Sequence, residues 1–212
     1  CRRDLSEQRT YWKNEFKGVI PVLNMPVDYS RAKGHKHHGG VLNLTISKDL
    51  SAEIYKLATE VEGTEYMVLL SALMILLSKY SGQEDIVVGS PVSARNHKDT
   101  ENMLGMFVNT LALRGKPESG KRYIKFLEEI KEKCIKAYEN QDYPFEELVE
   151  QLNILRDISR NPLFDVMFVF NEGKIRLKLK GIEARTFYIE NNVSKFDFSF
   201  YVKKENNKFT IS

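Results

Sequence analysis

Cysteine is nearly absent from this sequence. Cys1 and Cys134 are its only two, and their spacing fits neither a disulfide framework nor a zinc site. A reduced, cytoplasmic setting is the expectation. Long apolar runs are missing as well. The longest, "MVLLSALMILL", is too short to span a bilayer. The start, "CRRDLSEQRTYW", has no apolar centre of a signal peptide, so no membrane partner is expected. Charge of one sign is also lacking: 32 basic residues face 29 acidic ones, for a net +3. That balance is too small and too mixed to argue for nucleic acid. No Gly-x-Ser-x-Gly turn is present to carry a serine nucleophile, and no repeat is visible.

What is present is an ordinary globular composition, 42% hydrophobic and 29% charged over 212 residues, enough to bury a core. Ser6 reads as the cap of a helix over 7–16, and "GVIPVLNMPVDYSRAKGHKHHGG" as an extended linker. "VLNLTI" (41–46) reads as a strand, and Leu50, Ile54, Leu57 and Val61 recur at helical spacing up to Gly63. Thr64 is placed to cap the next helix, "EYMVLLSALMILLSKYSG", which is apolar nearly all round and therefore belongs in a core. "DIVVGS" (85–90) and "FVNTLALR" (107–114) read as strands, with Phe107, Asn109, Leu111 and Leu113 on one face of the second. A long amphipathic helix carries Tyr123, Phe126, Leu127, Ile130, Cys134 and Tyr138. Pro144 stands where a helix can begin. The tail offers four strands, "DVMFVF", "KIRLKLK", "ARTFYI" and "KFDFSFYV". The order predicts an α/β fold, a mixed β-sheet layered with helices.

Ordinary searches for chemistry end short of a complete site. Gly115 to Lys121, "GKPESGK", has phosphate-loop spacing, but Arg122 replaces the magnesium-binding Ser or Thr and Pro117 removes an N–H from the cradle. It reads as a strand-to-helix turn. "GHKHHGG" holds His35, His37 and His38, with no further ligands at metal spacing; it reads as a solvated loop, and no metal is expected. His97 reads as a surface residue. "DYPFEELVE" reads as a helix start with a solvated face rather than a glycosidase pair.

Three stretches are far more specific. Leu104 to Arg114, "LGMFVNTLALR", resembles the G-x-F-V-N-T motif of condensation domains from nonribosomal peptide synthetases. Asn140 to Glu146, "NQDYPFE", resembles their H/N-Q-D-x-P-F-E motif. Arg156 to Phe164, "RDISRNPLF", resembles their R-D-x-S-R-N-P-L-F motif. "QRTYWKNEF" and "YSGQEDIVVGSPVSAR" are similar to that family too, so the resemblance runs over nearly the whole chain.

The resemblance implies a chloramphenicol acetyltransferase-like lobe and an amide-forming acyltransferase. In such domains two lobes form a V. Upstream and downstream carrier proteins deliver a donor thioester and an acceptor amine on phosphopantetheine arms, and no cofactor is bound directly. The family's catalytic motif is H-H-x-x-x-D-G. Aligned on His37 and His38, it puts Leu42 and Asn43 where Asp and Gly belong, so the match fails. The expectation is a C-terminal lobe over 41–212, truncated at its end. Residues 1–40 would be a helix and linker from a missing N-terminal lobe. The catalytic histidine would lie upstream, and the isolated chain would be inactive. Expected partners are that N-terminal lobe, the two peptidyl carrier proteins and a neighbouring adenylation domain.

Ser90, Pro91, Arg95, Asn109 and Thr110 are the implied tunnel or floor residues. Asp142, Pro144, Arg156, Asp157, Arg160 and Asn161 are the implied structural set, with ion pairs through Arg156, Asp157 or Arg160 fixing the lobe. Buried amides need partners, so Asn109 either bonds neighbouring backbone or lines the tunnel. Two alternatives stay open: a non-catalytic carrier-docking or scaffold lobe, and an epimerisation or cyclisation relative.

Overall fold

A computed structural model describes residues 4–29, 31, 38–95, 98–154, 157–172, 181–182 and 192–212. Among these are five α-helices: α1 (Ser6–Glu15), α2 (Lys48–Glu60), α3 (Glu65–Ser81), α4 (Tyr123–Glu139) and α5 (Phe145–Gln151). Six strands, β1 (Leu44–Thr45), β2 (Ile86–Ser93), β3 (Val108–Gly115), β4 (Val166–Glu172), β5 (Phe198–Glu205) and β6 (Lys208–Ile211), form one sheet. Its order is β1-β6-β5-β4-β2-β3. β2 runs antiparallel to β3 from Ile86↔Gly115 to Ser93↔Val108 and parallel to β4 at Gly89↔Met167. β4 and β5 are also parallel, while β6 returns antiparallel along β5 and β1 pairs with β6. This is the mixed α/β sheet that the sequence predicts. The candidate strands at 174–180 and 184–189 lie outside the described residues.

Two glycines show which element covers each face. A Cβ on Gly115 would meet Met74 Sδ at 2.6 Å and Ile130 Cδ1 at 2.9 Å, so α3 and α4 press directly on that face. A Cβ on Gly89 would meet Phe164 Cε2 at 2.2 Å on the opposite face. The helix layer earns its place by burial: Leu70, Met74 and Leu77 of α3 and Leu127 and Ile130 of α4 are all inaccessible. Thr64 caps α3 as expected, its Oγ1 accepting from Met67 N at 3.4 Å. Gly82, at φ 70°, ends the helix in the left-handed conformation that favours glycine.

α1 belongs to the same core. Trp12 and Phe16 are buried with the sheet residues, and Trp12 Nε1 donates to Asn140 O at 2.9 Å. Ser6 is not its cap. The helix starts at Ser6 with Leu5 at the cap position, because Asp4 Oδ1 already accepts the Ser6 N–H at 3.0 Å. The strand expected over 41–46 shortens to Leu44–Thr45, paired with Ile211 and Thr210, and Ile46 N donates to Phe209 O at 2.9 Å just beyond it. β6 itself escapes the sequence reading. Its signal is Asn206-Asn207, both at positive φ (50° and 57°), the two-residue turn that closes a hairpin with β5. His38 forms a bridge with Val193, and Gly39 N donates to Asn192 O at 2.9 Å. His35, His37 and His97 lie outside the described residues.

Candidate functional site: the β2–β3 loop and its supports

β2 and β3 are joined by the segment 94–107, of which 94–95 and 98–107 are described, with a 3-10 turn at Lys98–Thr100, and Arg95 organises the described part. Its guanidinium donates to the carbonyls of Thr100, Met103 (3.0 Å) and Gly105 (3.4 Å). It also lies 4.3 Å from the centre of the Phe107 ring, a cation–π contact. Ala94 N closes the base of the loop on Phe107 O at 3.0 Å. The planar guanidinium spreads its N–H donors over two nitrogens, so one side chain reaches three carbonyls while its face lies on the Phe107 ring. The loop then presents apolar side chains outward: Leu104 and Met106 are fully exposed and Met103 is half exposed. Sequence reasoning named Arg95 as a site candidate, quoted Leu104 and Met106 only as part of a family motif, and missed Met103. Their signal was an apolar cluster, "MLGM", in a loop where polar residues are the norm.

Asn109, one residue into β3, has every hydrogen-bonding site of its carboxamide occupied. Nδ2 donates to Gln141 O (2.7 Å) and Tyr143 O (2.8 Å), and Oδ1 accepts from Thr110 N (2.9 Å) and Phe145 N (3.2 Å). It joins the two motifs, strand β3 and the turn before α5. Phe145 is the first residue of α5, so this oxygen satisfies one of the orphan N–H groups of the helix start. Pro144 is the N-cap residue of that helix at φ −63°, the value its ring dictates. Asp142 stands in the turn between α4 and α5.

Ser90 is buried, and its Oγ donates to Phe168 O at 2.9 Å, clipping β2 to β4. Pro91 and Thr110 face each other in the β2–β3 ladder. Tyr66 Oη is buried beside the Ser90 and Tyr138 hydroxyls, and burial pushes it well above 10. Burial likewise pushes the Cys134 thiol up to about 12, so it is no thiolate nucleophile at neutral pH.

The third motif is a clasp. Arg160 donates to Asp165 Oδ2 (2.5 Å), Leu23 O (2.8 Å) and Asn24 Oδ1 (3.2 Å). Asp157 Oδ1 instead accepts from Ser159 N and Oγ at 2.8 and 2.7 Å, and Asn161 Nδ2 donates to Lys195 O at 2.8 Å. Arg156 lies outside the described residues. Two clasps were not read from the sequence. Arg31 pairs with Asp197 and donates to Ser159 O at 3.1 Å. Arg114 pairs bidentately with Asp85 (2.7 and 2.9 Å) and holds Glu15 O and Val19 O. In the phosphate-loop-like turn, Ser119 N is taken by Glu84 Oε1 at 2.7 Å and Lys121 pairs with Glu129 and Glu118. These donors are spent internally.

A family model described as "Condensation domain" matches residues 2–212. The chain belongs to the condensation-domain family. It is similar to tyrocidine synthase 3 of Brevibacillus parabrevis, 49% identical over 92% of this chain and 3% of that protein. In fold it matches a four-domain nonribosomal peptide synthetase bound to AMP and glycine, with a TM-score of 0.87 and 24% identity over 100% of this chain and 17% of that one. The X-domain from teicoplanin biosynthesis matches at a TM-score of 0.90 and 19% identity, over 99% of this chain and 49% of that one. The chain thus spans a small part of the synthase it resembles. Among the described residues of this condensation-family chain, no single helix is long and apolar enough to cross a membrane.

Proposed function

We propose that this chain is the C-terminal lobe of a peptide-forming condensation domain. It acts with a second, N-terminal lobe that carries the H-H-x-x-x-D-G histidine. Two carrier proteins bring the reactants on phosphopantetheine arms, and the neighbouring adenylation domain selects the acceptor. The acceptor amine nitrogen attacks the donor thioester carbonyl, the C–N bond forms, the C–S bond breaks, and the donor arm leaves as its thiol. The amine proton passes by way of the histidine to the departing sulfur. What the lobe contributes is orientation of two tethered reactants, which substitutes effective concentration for chemistry.

The observation that carries this reading is the loop over 94–107. It is stiffened from within by Arg95 and turned apolar side out at Met103, Leu104 and Met106. A rigid loop with that surface is built to be covered, and the second lobe is the partner the reading supplies. Ser90, Pro91, Asn109 and Thr110 belong to the two strands that lead into and out of the loop. The test is single-turnover condensation in the intact synthetase after replacing Met103, Leu104 and Met106 by Ser. Stability of this lobe should move by less than about 0.5 kcal/mol, as for exposed positions, while amide formation falls by at least about tenfold. Unchanged amide formation would overturn the reading. So would an intact two-lobe protein that binds both loaded carriers and never forms the amide, which is the outcome a scaffold lobe gives.

A further inference from the structure

Pro91 stands in β2, a strand with a partner on each side. Proline has no N–H to give a ladder, and its usual places in a sheet are edges, strand starts and bulges. The register identifies the bond that is missing. Ala94 N donates to Phe107 O, so Val92, Ser90 and Val88 turn their backbone groups toward β3. Gly89, Pro91 and Ser93 turn theirs toward β4. Gly89 lies opposite Met167 in the parallel pairing, and the next donor to β4 would be the N–H of residue 91, aimed at Phe168 O. Ser90 Oγ donates to that carbonyl instead, at 2.9 Å. The hydroxyl stands in for the N–H that proline lacks.

Past this point no register pair joins β2 to β4 among the described residues. Each strand keeps its outer partner: β2 follows β3 to Ser93↔Val108, and β4 follows β5 to Glu172↔Lys204. The inner edges of Pro91–Ser93 and Val169–Glu172 are thus left out of the ladder, at the end of β2 from which the Arg95 loop starts. Ser93, Asn171 and Glu172 are exposed there. Ser93, Phe170 and Glu172 turn backbone N–H groups to this opening, and Pro91 and Phe170 turn carbonyls. Such an edge is a template for an extended chain with amides of its own. Its length along β2 is roughly 10 Å, shorter than the roughly 5–6 residues of an ordinary strand. That suits two amides better than a polypeptide strand.

We propose that this opening seats the pantetheine arm of a carrier protein, whose two secondary amides pair with the inner edges of β2 and β4 as a short inserted strand would. The inference rests on the condensation reading, which supplies the arm, and adds the backbone that holds it. Pro91 keeps the opening from zipping shut, because any other residue there brings an N–H that extends the ladder to Phe168 O. Ser90 keeps the strands from parting one residue sooner. Recognition through backbone reads the amides of the arm and makes no demand on the amino acid at its thiol, which fits a ligand common to every loaded carrier.

The test titrates the isotope-labelled full chain with pantetheine, N-acetylcysteamine and acetyl-dialanine methylamide, and follows the backbone amide resonances. Pantetheine should move Ser93, Phe170 and Glu172 together, with a Kd of about 1–10 mM. N-acetylcysteamine keeps the thiol but has one amide, and should bind about fivefold more weakly, the worth of one hydrogen bond. Pro91→Ala, in protein whose Trp12 emission remains that of a buried indole, should show a slowly exchanging N–H at residue 91 and bind pantetheine at least about tenfold more weakly. Ser93→Pro removes one donor of the opening without touching the bonds to β3, and should weaken binding by about fivefold. No movement of the three resonances at about 30 mM pantetheine overturns the proposal, as does binding that Pro91→Ala leaves intact. Tighter binding of the dialanine amide overturns it too, and is the result expected if the opening seats a polypeptide strand. The two readings fail apart. An intact synthetase whose Pro91→Ala variant condenses as fast as wild type sinks this inference alone. A chain that binds pantetheine here while its synthetase forms no amide sinks the condensation reading alone.

Discussion

The carboxamide of Asn109 donates to the carbonyl of Tyr143 at 2.8 Å, across 34 residues of sequence. Its second N–H goes to Gln141 O, and its oxygen takes the N–H of Phe145 and of Thr110. A single side chain therefore fixes the distance between β3 and the start of α5. Asn109→Ala leaves two carbonyls and two N–H groups short of a partner in a half-buried place, and should cost roughly 1–3 kcal/mol in urea unfolding. Asn109→Asp keeps the acceptors but aims a carboxylate at two carbonyls, so it should be no better than Ala. A stability change below about 0.5 kcal/mol for both would mean that this junction is held elsewhere.

Gly89 and Phe164 make a tighter pair. The ring edge occupies the place of a Cβ, 2.2 Å from where it would stand. Gly89→Ala should destabilise by about 1–3 kcal/mol through overpacking. Phe164→Leu should cost a cavity on its own, yet the double variant should be more stable than the two single losses predict. That coupling, of at least about 0.5 kcal/mol in a double-mutant cycle, is the quantity to measure. Simple additivity would show that the strand shifts instead.

Arg114 ties the first helix to the sheet. Its side chain is 9% exposed, and its guanidinium is paired with Asp85 and bonded to Glu15 O and Val19 O. Arg114→Met leaves the partly exposed carboxylate and two carbonyls without their donor, and should cost about 1–3 kcal/mol. The loss should be local first, at α1. The single tryptophan, Trp12, is buried in that helix, so its emission should shift red at lower urea than the far-ultraviolet circular dichroism of the sheet and remaining helices is lost. Coincident transitions would mean that α1 and the sheet unfold as one unit in spite of the lost clasp.

These three sites show where the sequence is readable and where it stops. α3 and its cap were legible because their causes are local: an apolar run, and a threonine beside the first turn. The α/β order was legible because the period of each segment survives in one dimension. The motifs carried the family, and with it the expectation of a lobe. The junctions were not legible. That a buried amide needs partners follows from chemistry, but Gln141 and Tyr143 are chosen by topology. Asp85 and Arg114 are 29 residues apart, with nothing in either neighbourhood that names the other. The end of the β2–β4 ladder is less visible still, since Pro91 marks it only once Gly89 is known to face Met167. The division expected at residue 40 carries no information about Trp12, whose indole N–H ends on Asn140.

Asp165 gives the fold a titration of a definite sign. Burial raises its carboxyl above the usual 3.8, Arg160 pulls the other way, and Asp197 nearby adds to the rise. The folded chain therefore keeps a proton at a pH where the unfolded chain has lost it. Folded protein binds more protons than unfolded in that window, so this group's contribution to stability falls as pH rises from 3.8 through the folded-state value. Below the window both states are protonated and the contribution is complete; above it both are ionised and the loss is constant. Glu65 works in the opposite direction. Burial opposes its ionisation, but Lys204 and the backbone outweigh burial and hold it below 4.5, so its contribution disappears as pH falls. A pH profile of the wild type mixes the two. The difference between wild type and Asp165→Asn separates them, because Asn does not titrate and its carbonyl still accepts from Arg160. Measured by urea midpoints across the acid range, the advantage of the wild type over the variant should shrink as pH climbs above about 4 and then level off. An advantage that grows over that interval would mean that the Arg160 pair, rather than burial, governs this carboxylate.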